Sequence, residues 1–176
     1  MEVQRRCGQL RRVTARRISR AFGGGRGGRM AVEIDPVLLS GDDDAINEFA
    51  SDTGRCVVVD WREEEGDLIR YVAGVIPEAG LSFEEDTEGD DIVLSYKGRT
   101  TPVGLTRSMR DRYITIRAIN RLLAGDYEMR LFRVTYESDT HSFYVKSAAW
   151  WREAERAHPA ETARVFRVVD EGLDFP

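Results

Sequence analysis

Residues 108–151, SMRDRYITIRAINRLLAGDYEMRLFRVTYESDTHSFYVKSAAWW, change hydrophobic period twice, and the reading of those changes decides the fold. Behind Ser108 as a capping residue, Met109, Tyr113, Ile116, Ile119 and Leu123 recur at steps of three and four, and Gly125 follows the last of them. That spacing predicts a helix with one core-facing side. On the opposite side Arg107, Arg110, Arg117 and Arg121 gather into an arc of roughly 80°, at about 100° per residue. The stripe is a candidate anion site, for phosphate or an acidic partner, because guanidinium forks suit bidentate contacts. Ile114 falls inside it, a sign that part of the stripe is covered.

Beyond Gly125 the period falls to two. Tyr127, Met129 and Leu131 alternate with Glu128 and Arg130, and then the apolar parity moves to Phe132, Val134 and Tyr136. The shift predicts a strand with a bulge near Leu131. Residues 137–140 have turn composition, and residues 141–146 read as the returning strand of a hairpin. On this reading His141 belongs to the turn chemistry. Ser147 then caps a helix over residues 148–157, with Trp150, Trp151, Ala154 and Ala157 as its buried side and Pro159 as its stop. Thr162, Val165, Phe166 and Val169 fit a last helix or a short strand, and residues 170–176 read as a frayed tail.

Towards the N-terminus, Arg99 to Leu105 reads as an edge strand, because Pro102 cannot donate to a ladder. It follows a tight turn at Lys97-Gly98. Ile92, Leu94 and Tyr96 alternate before that turn, and Leu81 and Phe83 sit at strand spacing upstream, which predicts a hairpin. Seven acids and no basic residue occupy residues 78–91, so the hairpin is acid-tipped. Cys56-Val57-Val58-Val59 is wholly apolar and β-branched, which suits a central strand covered on both faces. Asp60, Glu63, Glu64 and Glu65 follow directly, read as acids at a helix start. Leu68, Ile69, Val72, Val75 and Ile76 continue at helical spacing to Pro77. Asp42, Asp43 and Asp44 precede another short helix carrying Ile46, Phe49 and Ala50; as consecutive residues they favour capping over metal binding.

The expected fold class is therefore α+β, with one mainly antiparallel sheet of about five strands and helices packed against it. It occupies residues 30–176. Residues 1–29 carry nine Arg against one acid and end in Gly23-Gly24-Gly25-Arg26-Gly27-Gly28-Arg29. They read as a disordered arm or as sequence upstream of a natural start at Met30, and nucleic acid is expected only through this arm. The remainder holds 17 basic and 30 acidic residues, so the net charge of −5 conceals two opposite parts.

Several chemistries lack their signatures. Gly23 and Gly28 have phosphate-loop spacing, but Arg29-Met30 stands where Lys and a hydroxyl residue are required. Cys7 and Cys56 have no partner at disulfide-framework or zinc spacing, and Cys56 reads as a buried strand residue. Neither His141 nor His158 has a nucleophile at a recognised spacing. The acids nearest Lys97 and Lys146 miss nuclease spacing. No run approaches membrane-span length and no apolar leader opens the chain, which leads us to expect a cytoplasmic protein without metal or cofactor.

Two functions follow as expectations. In the first, a non-catalytic acidic protein engages a basic protein partner, in the manner of an immunity-type inhibitor of a bacterial toxin, through Trp61, Glu63, Glu64, Glu84, Glu85, Asp86, Asp90 and Asp91. In the second, the corner at residues 60–65 is a carboxylate site of an enzyme or small-ligand binder. Carboxylates converging in a deep pocket favour the second; carboxylates splayed over the surface favour the first.

Overall fold

The computed structural model describes residues 32–60, 62–85, 91–106, 108 and 111–173. Its elements run α1 (Pro36–Leu39), α2 (Asp43–Ala50), β1 (Val57–Asp60), α3 (Glu65–Val75), β2 (Ser82–Glu85), β3 (Asp91–Tyr96), β4 (Arg99–Gly104), α4 (Asp111–Leu123), β5 (Tyr127–Phe132), β6 (Thr140–Ser147), α5 (Ala148–Ala157), α6 (Pro159–Val165) and β7 (Phe166–Val168). The α+β class holds. The single sheet does not: the described residues form two antiparallel sheets, β1-β6-β5-β7 and β2-β3-β4. Their separation has a physical reason, because the two groups of strands make different demands on their faces. β5 and β6 present large side chains on both faces, whereas β3 buries Ile92, Leu94 and Tyr96 and exposes Asp91 and Val93. Strands needing two covered faces and strands needing one wet face segregate.

The four-stranded sheet divides two cores. On one side Val57, Val59, Met129, Leu131, Phe143 and Val145 meet α3, α4 and the buried face of the small sheet. On the other, Phe132, Tyr144 and Phe166 meet Leu38, Ile46, Phe49 and Trp151 from the outer helices. This removes the expected bulge. Leu131 and Phe132 are consecutive apolar residues because each faces a different core, and the β5 register runs unbroken from Tyr127 opposite Ser147 to Leu131 opposite Phe143. The chain then leaves the strand at Phe132 through a short 3₁₀ turn, Arg133–Thr135. Even polar Arg130 is enclosed here, stacked 4.2 Å over Trp151 and paired with Glu128 and Glu155.

Local signals place the helices. Asp42 Oδ1 accepts from the Asp44 and Ala45 N–H groups at the start of α2, and Ser147 Oγ accepts from Trp150 N–H at the start of α5. Each satisfies a donor that a helix start leaves orphaned. α4 ends at Leu123, and Gly125 takes the positive φ of 93° that favours glycine there. At its entry the Asp111 carboxylate reaches back to the N–H groups of Thr106 and Ser108, the acidic half of a capping box on Ser108. Lys97 and Gly98 both have positive φ in the β3–β4 turn, and Pro102 lies on β4 at the edge of its sheet.

Two further expectations are corrected. β1 is an edge strand, not a central one, since among the described residues β6 is its one neighbour in the sheet. The tail is docked as far as the structure describes it: Leu173 is fully buried in the first core, and Arg117 donates to its carbonyl at 2.6 Å. Among the described residues no helix is long and apolar enough to cross a membrane.

Candidate functional site

The corner after β1 is built from its own side chains. α3 begins at Glu65, so Asp60 and Glu63 lie before the helix and not in its first turn. Glu63 Oε2 accepts from Asp60 N–H and its Oε1 from the Tyr71 hydroxyl, both at 3.1 Å. Asp60 Oδ1 accepts from Arg62 N–H at 2.9 Å, and Arg112 donates to the Glu63 carbonyl at 3.0 Å. Both Glu63 oxygens are thus engaged within the chain. The bond to Glu63 holds the exposed Tyr71 phenol above its usual pKa, because ionisation would set two negative charges together.

Those bonds also reveal which way β1 faces. Asp60 turns its N–H away from β6 and onto Glu63, and four residues earlier Cys56 N–H donates outward to Asp52 O at 2.9 Å. In an antiparallel strand the N–H and C=O of one residue point to the same side, and successive residues alternate sides with period two. Val58, midway between these two, therefore points its N–H and C=O out of the sheet, and among the described residues neither has a partner. A groove of about 640 Å³ runs along this edge, with Cys56, Val58 and Asp60 on one side and Arg70, Tyr71 and Gly74 of α3 on the other.

Gly74 lines that groove without a side chain. Its φ is not in the left-handed region, and a Cβ built there would meet no atom within 4 Å, so neither backbone geometry nor packing requires glycine. Glycine inside a helix nonetheless costs about 1 kcal/mol against alanine. Cys56 contributes surface only, since burial pushes its thiol up to about 12 and its Sγ donates to Phe49 O at 3.6 Å.

A second depression, of about 380 Å³, lies at the start of α3. It brings Glu64, Glu65 and Glu85 together around Gly66, over Ile92 and Leu105. Gly66 is needed here: a Cβ would stand 2.6 Å from Glu85 Oε1 and 3.2 Å from the Phe83 ring. Glu65 is half-buried, and burial holds its carboxyl above the usual range. Its Oε2 and the Thr115 Oγ1 are both buried without a hydrogen bond of normal geometry.

The other candidates are dispersed. Glu84 and Asp91 are exposed on the small sheet. Trp61, Asp86, Asp90, Arg107 and Arg110 lie outside the described residues, as do the arm at residues 1–29 and Cys7. Arg117 and Arg121 both pair with Glu171 of the docked tail, at 3.6 and 2.6 Å. His141 is not a turn residue but 1% exposed, with Tyr113 Oη 2.7 Å from its Nδ1 and Tyr136 O 3.0 Å from its Nε2. Among the described residues no group of three His, Cys, Asp or Glu is placed to hold a metal ion.

Sequence reading found the acids but missed Val58, Tyr71 and Gly74. A glycine within the helical pattern of residues 68–76 was the available signal. No protein-family model, curated protein or solved structure matches the chain.

Proposed function

We propose that the protein is a non-catalytic binding protein that engages a basic protein partner, with the depression at Glu64, Glu65 and Glu85 receiving a basic side chain. The observation that carries this reading is that two acidic segments, distant in sequence, share one depression with an apolar floor. A cationic side chain seated there would meet carboxylates while its aliphatic stem covers Ile92 and Leu105. It would also lower the electrostatic cost of ionised Glu65. The acidic excess of residues 30–176 would speed encounter with such a partner and turn away acidic competitors.

What weighs against catalysis at residues 60–65 is the direction of the side chains. Glu63 is engaged through both oxygens, Glu64 is exposed and Glu65 is turned towards Thr115. An immunity-type inhibitor of a basic toxin is one version of the binding reading, drawn from size and charge.

The test is capture of partner by the full chain from its native cell, beside a Glu64→Lys/Glu85→Lys variant. A basic protein should be retained by the unaltered chain and released by moderate salt, and the variant should not retain it. Capture that ignores both the variant and the salt would refute the assignment. Should turnover of any substrate be found and vanish in Glu63→Gln/Glu64→Gln, the corner would be catalytic instead.

A further inference from the structure

We infer that the free edge of β1 is a strand-addition site for an extended peptide segment of the protein partner, with a basic side chain at the Asp60 end. This deepens the binding reading and rests on it. The recognising chemistry is the backbone N–H and C=O of Val58, which point outward with no partner among the described residues. An extended chain laid beside β1 supplies the missing acceptor and donor together. The groove beside it has a volume of about 640 Å³, and Gly74 adds no side chain to its α3 wall.

Charge sets the orientation. At the Asp60 end the groove is lined by Asp60 and Glu63 and, among the described residues, by one cation, Arg70, which is already paired with Asp67. A basic side chain is the complement of that end. The shape selects a slender occupant over a second copy of the chain. α3 and the turn at Thr53-Gly54 border the groove beside β1, and such walls favour a single strand over the body of a second copy. Because Cys56 N–H and the Asp60 peptide group are bonded internally, a peptide gains the hydrogen bonds of one residue. Binding is therefore modest, and side chains in the groove decide which sequences are taken.

The experiment pans a phage-displayed library of random heptapeptides against the full chain, with the Gly74→Trp chain as counter-target. Tryptophan at 74 enters open space, so the fold should survive it, as thermal melting would verify. Enriched peptides should carry Lys or Arg. Synthesised, they should lose at least about tenfold in affinity to Gly74→Trp and to Val58→Pro, the weight of roughly one hydrogen bond. Proline is tolerated on a strand edge whose N–H faces away from the ladder, as Pro102 already is on β4. If Val58→Pro does not fold, N-methylating the peptide amide opposite Val58 C=O should give the same loss.

Enrichment that fails to distinguish the two chains, or peptides indifferent to Val58→Pro and to N-methylation, would overturn the inference. So would a concentration-dependent dimer of the full chain lost in Gly74→Trp, which would make the occupant a second copy. The Glu64→Lys/Glu85→Lys variant separates this site from the depression: it should bind the peptides unchanged. Peptide binding retained when no basic partner is captured would strike the proposed function and leave the groove standing.

Discussion

Glu65 sits where its proton is favoured. Burial raises its carboxyl above the ordinary value near 4.5, so the folded chain holds a proton that the unfolded chain has released. Its contribution to stability is therefore present below about pH 4.5 and is lost as pH rises through the raised value. Glu65→Gln should remove that decline, so urea midpoints of variant and parent should diverge upward through this window, with the variant the more stable at neutral pH. His141 acts with the opposite sign. Burial lowers its pKa below 6.5, so stability present above pH 6.5 is lost as pH falls through the lowered value. Tyr113→Phe takes away the hydroxyl that meets His141 Nδ1 and should cost about 1–3 kcal/mol, the penalty for a buried polar atom left unpaired; an unchanged urea midpoint would show the contact to be idle. The burial of His141 was legible, since it shares strand parity with Phe143 and Val145. Its place after a turn concealed this. The pairing with Tyr113, 28 residues away, was not legible, because nothing in either segment specifies how α4 crosses β6.

Elements were legible where their signal is local. Asp42 and Ser147 each carry the acceptor that their own helix start needs. Ser147→Ala should accordingly destabilise by about 1 kcal/mol in chemical denaturation. β1 was misplaced for a different reason. Apolarity reports what covers the faces of a strand, whereas edge or centre is decided in the plane of the sheet, where the backbone is identical for every sequence. Cys56 to Val59 could announce burial but not the number of neighbours. The same confusion of faces with pairing produced the bulge at Leu131. Glycines on α3 separate two causes that one letter cannot. Alanine at Gly74 should stabilise by about 0.5–1 kcal/mol, since helix propensity improves and nothing is crowded. Alanine at Gly66 should fall short of that gain, because Glu85 and Phe83 must give way. Equal gains at the two positions, measured by urea unfolding, would contradict the close approach of α3 to β2.

At the scale of the whole molecule, the four-stranded sheet with a core on each side explains why so few of its strands alternate cleanly. It also explains the tail. Residues 170–173 look polar in isolation, with Asp170, Glu171 and Gly172 around a single leucine, and composition alone reads them as frayed. The open side of the first core, beside α4, is what gives Leu173 somewhere to go. Once it is seated, Arg117 meets its carbonyl, and Glu171 meets Arg117 and Arg121. The two charge pairs lie near the surface and contribute little, so the apolar contact carries the docking. Leu173→Ala should therefore cost about 2–5 kcal/mol, the range for a buried leucine, and should make Arg117 and Arg121 accessible together. Glu171→Gln should cost less than about 1 kcal/mol and lose that cost in high salt. If the Glu171 variant proved the more damaging in urea unfolding, electrostatics and not burial would hold the C-terminal segment. The arginine stripe would then be the element that organises this end of the protein.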